Sequence, residues 1–429
     1  MDRLLVTGGA RLTGAVRVAG AKNSALKLMA ASLLAPGSSI VRNVPRIRDC
    51  WVMAQLLESV GVSVTLDGDT ATLDATDVNG VETPNELGRQ IRASIVVLGP
   101  LLARCGRARV SLPGGDKIGA RTVELHVSGL RRMGALISSE HGFLVAETPK
   151  GLRGTSITLD YPSVTATENL LMAGVAARGT TIIDNAAREP EVADLADFLV
   201  KMGAQVEGAG SSTLAINGVD GFRPAEHAAI PDRIEVGTWA SAAVATLGDV
   251  TIENARPEHL DLFLAKLSDA GADVSVTFDG LRVRQPSPAR AVDFVTLPYP
   301  GVATDFQPIL LAMLATADGT SIATENVFEG RFLYVGELLR MGADIRTEGH
   351  HAVIRGVPRL SAAPVRALDI RAGAAMVIAA LCAEGVTEIA DVYHLDRGYE
   401  DLEAKLAGLG AEVRREGGAL LVPDPAETW

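Results

Sequence analysis

The sequence predicts an α/β protein built from six copies of one unit of helices and short strands. One pattern recurs along the 429 residues: a Leu-rich helix end, a glycine and a short alternating strand, as in LLRMGADIRTE. Its glycines are 68 to 73 residues apart and are Gly61, Gly134, Gly203, Gly271, Gly342 and Gly410. A second pattern, an Ala-rich helix followed by a turn and a strand, lies between them. Six copies in register predict two domains of three units, with a ligand cleft between the domains.

Each period carries two amphipathic helices and several strands. Glycine just after a helix is the expected C-cap, because glycine enters the left-handed backbone region without steric cost. The strands alternate with a period of two residues, so in Ala272–Val276 we expect the apolar Ala272, Val274 and Val276 to face one side. The loops after the second pattern begin near a polar residue or a proline: Asn43, Pro113, Asn185, Asn254, Asn326 and Asp391.

Composition and charge restrict the class of function. Hydrophobic residues make up 47% of the chain and charged residues 21%, as in ordinary globular proteins. The net charge of −12 argues against binding to nucleic acid or to an anionic membrane, because both need a basic surface. Three separated cysteines, the lack of a signal peptide and the lack of a long apolar run predict a cytoplasmic protein without membrane insertion. The seven histidines show no metal-ligand spacing.

Two segments place a charged residue where a helix is expected to begin. In GAKNSALKLMAASLLA, we expect Asn23 or Ser24 to cap the helix, with Lys22 beside an N-terminus that favours an anion. A solvated lysine is the alternative interpretation of Lys22. In LPYPGVATDFQP, Asp305 precedes an apolar helix, and the sequence favours an N-cap over a general base.

A third segment, SLPGGDKIGARTVELH, has the composition of a catalytic lid. Gly114 and Gly115 permit a tight, mobile turn, and Asp116, Lys117 and Arg121 bring charge to the same loop. A plain surface loop remains the alternative.

Arginines recur at helix starts and in equivalent loops of this acidic chain. Because a guanidinium matches the geometry of carboxylate and phosphate groups, the repeated placement predicts a shared anion pocket. Separate surface salt bridges of small energy are the alternative. The arginines concerned are Arg46, Arg48, Arg92, Arg188, Arg331, Arg371 and Arg397.

Eight segments spread over residues 20–400 resemble the enolpyruvyl transferase family. The resemblance implies a fold of two inside-out α/β barrel domains, each of three βαβαββ repeats. It also implies domain boundaries, with residues 22–229 in one domain and residues 1–21 and 230–429 in the other. The matching segments are GAKNSALKLMAASLLA, RASIVVLGPLLAR, LPGGDKIGAR, NAAREPEV, TDFQP, ENVFEGRF, DIRAG and HLDRGYE.

The resemblance implies transfer of the enolpyruvyl group of phosphoenolpyruvate to the 3′-hydroxyl of UDP-N-acetylglucosamine, with release of phosphate and without metal or cofactor. Lys22, Arg121 and Arg397 would bind phosphoenolpyruvate, Arg331 and Arg371 would line the cleft, and Asp305 would deprotonate the hydroxyl. Asn23 would hold substrate and intermediate. The residues implied to surround the UDP-sugar are Arg92, Arg121, Thr122, Val123, Glu124, Leu125, Ser163, Val164 and Val327.

One departure from the family concerns the proton donor. The family usually has a cysteine where this chain has Asp116, and a minority of members have aspartate. An unperturbed aspartic acid has a pKa of about 3.9, so the negative charges of bound phosphoenolpyruvate are expected to keep the donor protonated. Fosfomycin alkylates the cysteine of the family, and the resemblance therefore implies fosfomycin resistance here.

Other departures leave the acceptor open. Thr122, Tyr161 and Thr165 stand where the family commonly has Pro, Lys and Gly near the nucleotide. One alternative is an enolpyruvyl transferase that acts on UMP or another nucleotide in a specialised pathway. Another is a non-catalytic homologue that binds a nucleotide-sugar. The sequence indicates no particular protein partner.

Overall fold

The computed structural model describes residues 2–116 and 118–417, and these fall into two compact units. We call them the terminal unit and the central unit. The terminal unit comprises residues 2–19, Asp116, residues 118–120 and residues 231–417, and the central unit comprises Gly20–Gly115 and Arg121–Ile230. The boundaries expected from the sequence, 22–229, include the loop Asp116–Ala120, whereas contacts group this loop with the terminal unit.

The strands are short, mostly of five residues. In chain order they are β1 (Arg3–Thr7), β2 (Thr13–Arg17), β3 (Ser38–Arg42), β4 (Ser63–Asp67), β5 (Thr70–Asp74), β6 (Arg107–Ser111), β7 (Leu136–Glu140), β8 (Phe143–Glu147), β9 (Ser156–Thr158), β10 (Thr180–Asp184), β11 (Gln205–Glu207), β12 (Thr213–Asn217), β13 (Glu226–Ala228), β14 (Asp249–Glu253), β15 (Asp273–Thr277), β16 (Gly280–Arg284), β17 (Phe294–Val295), β18 (Thr320–Thr324), β19 (Asp344–Glu348), β20 (His351–Arg355), β21 (Leu360–Ser361), β22 (Pro364–Arg366), β23 (Ala383–Glu384), β24 (Val386–Ala390) and β25 (Glu412–Glu416).

The helices alternate with these strands. In chain order they are α1 (Lys22–Ala31), α2 (Arg48–Glu58), α3 (Asn85–Gly88), α4 (Leu98–Cys105), α5 (Glu124–Arg132), α6 (Val164–Gly174), α7 (Pro190–Lys201), α8 (Arg233–Ala245), α9 (Asp261–Asp269), α10 (Gln307–Leu314), α11 (Val335–Arg340), α12 (Ile370–Leu381), α13 (Tyr393–Asp396) and α14 (Leu402–Gly408). Within the part of the chain that the structure describes, four 3₁₀ segments accompany them: Ser32–Leu34, Arg92–Val97, Pro257–His259 and Thr304–Phe306.

Six sheets carry the repeat, three in each unit. The central unit has the strand orders β13-β3-β5-β4, β6-β8-β7 and β11-β12-β10-β9, and the terminal unit has β15-β16-β14-β2, β17-β18-β20-β19 and β22-β24-β1-β25. Five of the six combine three antiparallel strands with one parallel strand at an edge. The sixth has an isolated parallel bridge, Glu82 to Arg109, in place of the fourth strand. The predicted sixfold α/β repeat is confirmed.

Helices form the interior of each unit. In the terminal unit α8, α10 and α12 pack against one another, and nearly all of their residues are buried. In the central unit α1 and α6 are buried in the same way. The sequence predicted amphipathic helices here, but these Ala-rich helices are buried on nearly all sides, because small residues let neighbouring helices and sheets surround them.

The residues that marked the repeat have a backbone role. All six glycines of the repeat have φ between +87° and +107°, which confirms the predicted C-caps. Asn43, Asn185 and Asn254 each have φ of 55°, and each amide donates to a backbone carbonyl of a neighbouring segment, at 2.8–2.9 Å. Asparagine tolerates this conformation and closes the loop with its side chain.

One strand shares its expected apolar face but does not bury all of it. Val274 and Val276 lie two residues apart in β15, on the same face as the alternation predicted, yet Val276 is 73% exposed. β15 is an edge strand, and Val276 lies close to its end, at the β15–β16 turn, so the core does not reach it.

The described residues contain neither a helix suited to cross a membrane nor a cluster suited to hold a metal ion. None of the helices within residues 2–116 and 118–417 combines the length and apolar character that a membrane crossing needs. Over the same residues, no group of histidine, cysteine, aspartate and glutamate side chains is arranged to hold a metal ion.

Candidate active site

The first turn of α1 presents Lys22 and Asn23 in the central unit. The helix begins at Lys22, and its N-cap residue is Ala21 with no side-chain cap, so the expected capping by Asn23 or Ser24 is wrong. Both residues already lie within the helix. The Lys22 ammonium lies 2.9 Å from the carboxylate of Asp49, which is 3% exposed. This ion pair holds the lysine in place at the helix start.

The turn before α6 is fixed by a cap. Ser163 is the N-cap residue, and its hydroxyl accepts a hydrogen bond of 3.4 Å from the backbone amide of Ala166. Val164 is the first residue of the helix. The amides and the dipole of a helix start favour an anion, and the resemblance implies that this turn contacts the UDP-sugar.

A cavity of about 490 Å³ in the central unit is lined by most of the residues implied to bind the nucleotide-sugar. Arg92 begins a 3₁₀ segment and donates hydrogen bonds to the carbonyls of Arg121 and Thr122, the latter at 3.1 Å. Burial, together with the charge of Arg121, lowers the pKa of Arg92 to about 10. The two arginines concentrate positive charge at this cavity. Val123 and Glu124 also line it, whereas Leu125 packs against the hydrophobic core.

Sequence reasoning missed a polar cluster beside this cavity. His126 is 2% exposed, and its Nδ1 accepts a hydrogen bond of 3.0 Å from the amide of Asn169. The orientation of this amide follows from its other bonds, since Asn169 also donates to the Ile95 carbonyl and accepts from the Gly99 amide. Nε2 of His126 therefore carries the proton and donates to the Thr165 hydroxyl at 3.3 Å. Burial, with the charge of Arg92, lowers the pKa of His126 to about 3.

The lowered pKa of His126 predicts a stability that falls in mild acid. In the unfolded state the His126 ring binds a proton below about pH 6.5, whereas in the folded state it stays neutral down to about pH 3. The free energy of unfolding therefore decreases as the pH falls through this range. At pH 5 the loss from this group is about 2 kcal/mol. We expect the free energy of unfolding, measured by chemical denaturation, to fall by about 2 kcal/mol less in His126→Gln than in the wild type between pH 7.5 and pH 5. An identical pH dependence in the two proteins would contradict the assignment of a neutral buried histidine.

In the terminal unit, Asp116 and Arg397 form an ion pair. One guanidinium nitrogen of Arg397 lies 2.6 Å from the Asp116 carboxylate, and the side chains are 10% and 17% exposed. Farther along the same loop, the amide of Ala120 donates to the carboxylate of Glu329 at 2.8 Å, a bond that lowers the pKa of Glu329. The residue expected to donate the proton therefore lies beside Arg397, for which the resemblance implies binding of phosphoenolpyruvate. Lys117, which the sequence also singled out, lies outside the described residues.

Asp305 lies between two buried arginines. Its carboxylate is 2.9 Å from Arg331 and 3.2 Å from Arg371, and both arginine side chains are at most 4% exposed. Burial alone would lower the pKa of Arg371, but the neighbouring Tyr399 and Asp305 raise it above the ordinary value. The prediction that Asp305 caps a helix is wrong, because the cap residues there are Ala303 and Phe306.

A second residue that sequence reasoning missed is Glu325. This carboxylate is 1% exposed and accepts hydrogen bonds from the hydroxyls of Thr296 and Thr304 and from the amides of Val327 and Phe328. It fixes the loop that carries Val327 and the residue next to Asp305. An acidic residue directly after a strand, in ATENVFEGRF, is the sequence signal that could have found it.

Comparisons with known proteins identify the family of this chain. A sequence profile described as EPSP synthase (3-phosphoshikimate 1-carboxyvinyltransferase) matches residues 6–406. The chain belongs to this family of enolpyruvyl transferases. The resemblance seen in the sequence is thereby confirmed at the level of the family.

Several relatives of this enolpyruvyl transferase share more than half of its residues over almost the whole chain. The UDP-N-acetylglucosamine 1-carboxyvinyltransferase of Nocardia farcinica is 54% identical over 426 residues, which cover 97% of this chain and 99% of the relative. The enzyme of the same name from Mycobacterium tuberculosis is also 54% identical, over 96% of this chain and 99% of the relative.

Solved structures share the fold. The enolpyruvyl transferase NikO from Streptomyces tendae superposes with a TM-score of 0.87 at 28% identity, over 97% of this chain and 99% of that one. An EPSP synthase from Acinetobacter baumannii reaches a TM-score of 0.76 at 18% identity, over 97% of this chain and 100% of that one, a likeness of fold alone.

Proposed function

We propose that this enolpyruvyl transferase acts on phosphoenolpyruvate and UDP-N-acetylglucosamine, as the first committed step of peptidoglycan synthesis. Relatives named for this reaction are 52–54% identical over nearly the full length. The observation that carries the proposal is the pairing of Asp116 with Arg397, because it joins a proton donor to an arginine suited to the substrate anion.

The proposed reaction has an addition and an elimination. The sugar 3′-oxygen bonds to C2 of phosphoenolpyruvate while C3 takes a proton from Asp116, and Asp305 takes the proton of the hydroxyl. The resulting tetrahedral phospho-ketal loses phosphate from C2, and the proton held by Asp305 passes to the departing phosphate. The ionised Asp116 takes a proton from C3, which gives the enolpyruvyl ether and restores both residues. Arg397, Lys22 and Arg121 are assigned to the anionic groups of phosphoenolpyruvate. Each of these assignments is a proposal that extends the family resemblance to a residue of this chain.

The nucleotide-sugar is assigned to the cavity of the central unit. Arg92 and Arg121 supply positive charge for the diphosphate, and the capped turn at Ser163 supplies helix amides. Asn23 is assigned to hold substrate and intermediate at the first turn of α1. Val327, fixed by Glu325, is assigned to the sugar.

The test of the function is phosphate release from phosphoenolpyruvate, read together with the mass of the product. With UDP-N-acetylglucosamine we expect phosphate and the mass gain of one enolpyruvyl group on the UDP-sugar. Parallel reactions contain UMP as acceptor. Turnover with UMP alone would overturn the sugar-nucleotide assignment and direct attention to Thr122, Tyr161 and Thr165. Ligand binding without turnover would identify a non-catalytic homologue.

Fosfomycin is expected to leave the wild-type enzyme active. A carboxylate is a weaker nucleophile than a thiolate, and the Asp116 carboxylate is engaged by Arg397. The matched control is Asp116→Cys, which restores the thiol and should lose activity with time in fosfomycin. Mass spectrometry reads both proteins for a covalent adduct. An adduct on Asp116 of the wild type would refute the prediction.

A further inference from the structure

Two helices of the central unit carry proposed ligand residues at their starts. α1 begins with Lys22 and Asn23, and α6 begins directly after Ser163. About one turn farther along each helix lies a charged side chain that is almost completely buried. These side chains are Lys27 on α1, 3% exposed, and Glu168 on α6, 0% exposed.

Lys27 contacts both helices. Its ammonium donates a hydrogen bond of 2.6 Å to the backbone carbonyl of Asn23 and lies 3.4 Å from a carboxylate oxygen of Glu168. The Lys27 ammonium thus links the backbone of the first turn of α1 to the Glu168 side chain on α6. Asn23, whose carbonyl it engages, is itself assigned to hold substrate.

Burial of the Glu168 carboxylate carries a large desolvation cost. Apart from the Lys27 ammonium at 3.4 Å, no described residue donates a hydrogen bond to either of its oxygens, so its desolvation is offset mainly by the charge of Lys27. Burial raises the pKa of Glu168 to about 7; Lys27 opposes this rise, and Glu191 and Glu189, at the start of α7, add to it. Apolar residues of similar size commonly give equal or better stability than a buried ion pair, so stability alone explains this pair poorly.

We infer that Lys27 and Glu168 are positioning residues, which hold the first turns of α1 and α6 in the geometry that the transfer reaction needs. The inference rests on the proposed function. Ionised Glu168 keeps the Lys27 ammonium directed at the carbonyl of Asn23 and so fixes the turn that presents Lys22. Loss of the negative charge frees the ammonium and loosens this turn.

The test compares Glu168→Gln and the double variant Lys27→Met/Glu168→Gln with the wild type. The double variant removes both buried charges together, so it is expected to fold even where the single variant does not. The matched control is Glu226→Gln, which removes the carboxylate of an exposed ion pair with Arg42 in the same unit. Hydrogen exchange of the peptide covering residues 22–31, thermal stability and kcat are measured for each protein.

We expect exchange in the first turn of α1 to be at least about 10-fold faster in both variants, and kcat to be about 10- to 100-fold lower, because small displacements of positioning groups cost rates of this order. Glu226→Gln should match the wild type. A lower melting temperature with unchanged exchange in this turn and unchanged kcat would show a purely structural pair and overturn the inference.

The pH profile supplies a readout that a structural role would not change. Glu168 is ionised above its pKa, so wild-type kcat should decline as the pH falls below about 7. The Glu168→Gln variant has no titrating group at this position, so the part of the decline in kcat that is due to Glu168 should be absent. The exchange measurement needs no substrate. If the wild type does not transfer enolpyruvyl groups, the proposed function fails while exchange still decides whether the pair holds the turn.

Discussion

Replacing Asp116 by asparagine is expected to lower kcat for enolpyruvyl transfer by about 10²–10⁴-fold, the usual contribution of general acid–base catalysis. Asparagine has nearly the same shape and can still contact Arg397, but it has no proton to give to C3. In the structure Asp116 is paired with Arg397 at 2.6 Å, and its charge contributes to the raised pKa of Asp369, which burial chiefly causes. The arrival of a substrate anion at Arg397 would weaken that pair and favour the protonated acid.

The control for Asp116→Asn is Asp116→Cys, since a thiol is the donor that the family commonly uses at this position. We expect the cysteine variant to keep most of the activity. The affinity for UDP-N-acetylglucosamine, measured by thermal shift, should be similar in all three proteins because Asp116 is not assigned to the nucleotide. An asparagine variant with kcat within 10-fold of the wild type would remove Asp116 from the role of proton donor.

The second large effect is expected for Asp305→Asn. An amide cannot take the proton of the sugar hydroxyl, so kcat should again fall by about 10²–10⁴-fold. The substitution also removes the negative charge between Arg331 and Arg371, both nearly buried, and should lower the melting temperature. Phosphate release is therefore compared at a temperature at which circular dichroism shows the variant to be folded.

A surface carboxylate provides the control for Asp305→Asn. Asp261→Asn neutralises an exposed residue at the start of α9 in the same unit, and it should have wild-type kcat and stability. Wild-type turnover by folded Asp305→Asn would exclude this residue as the base. The arginines on either side would then be explained as a structural cluster.

The fold was predictable because its signals are local. A glycine after each long helix, an asparagine in the following loop and an Ala-rich helix recur at a fixed spacing, and each has a backbone or burial reason that a single segment reveals. The exposed Val276 shows the limit of this reasoning, because alternation identifies a strand but does not indicate that the strand ends at a sheet edge.

The site was predictable in its residue types and less so in its contacts. Glu168 and His126 were missed because their partners, Lys27 and Asn169, are distant in the sequence, and such pairs leave no periodic signal. Asp305 was expected at a helix cap because a single segment does not reveal that two distant arginines converge on it. Charge pairs of this kind form only when distant segments meet in the tertiary structure, so no local sequence pattern indicates them.

Because β1 pairs with β24 and β25, its sheet can form only after the central unit has been synthesised. β1 consists of Arg3–Thr7, yet both strands that flank it lie beyond residue 385. Every residue of the central unit between Gly20 and Ile230 leaves the ribosome before these partners exist. This unit can therefore fold while the terminal unit is still missing one sheet, and β1 stays unpaired until residues 386–416 have been synthesised. A premature stop before Glu412 would leave an intact central unit beside an open sheet edge, which is a surface prone to aggregation.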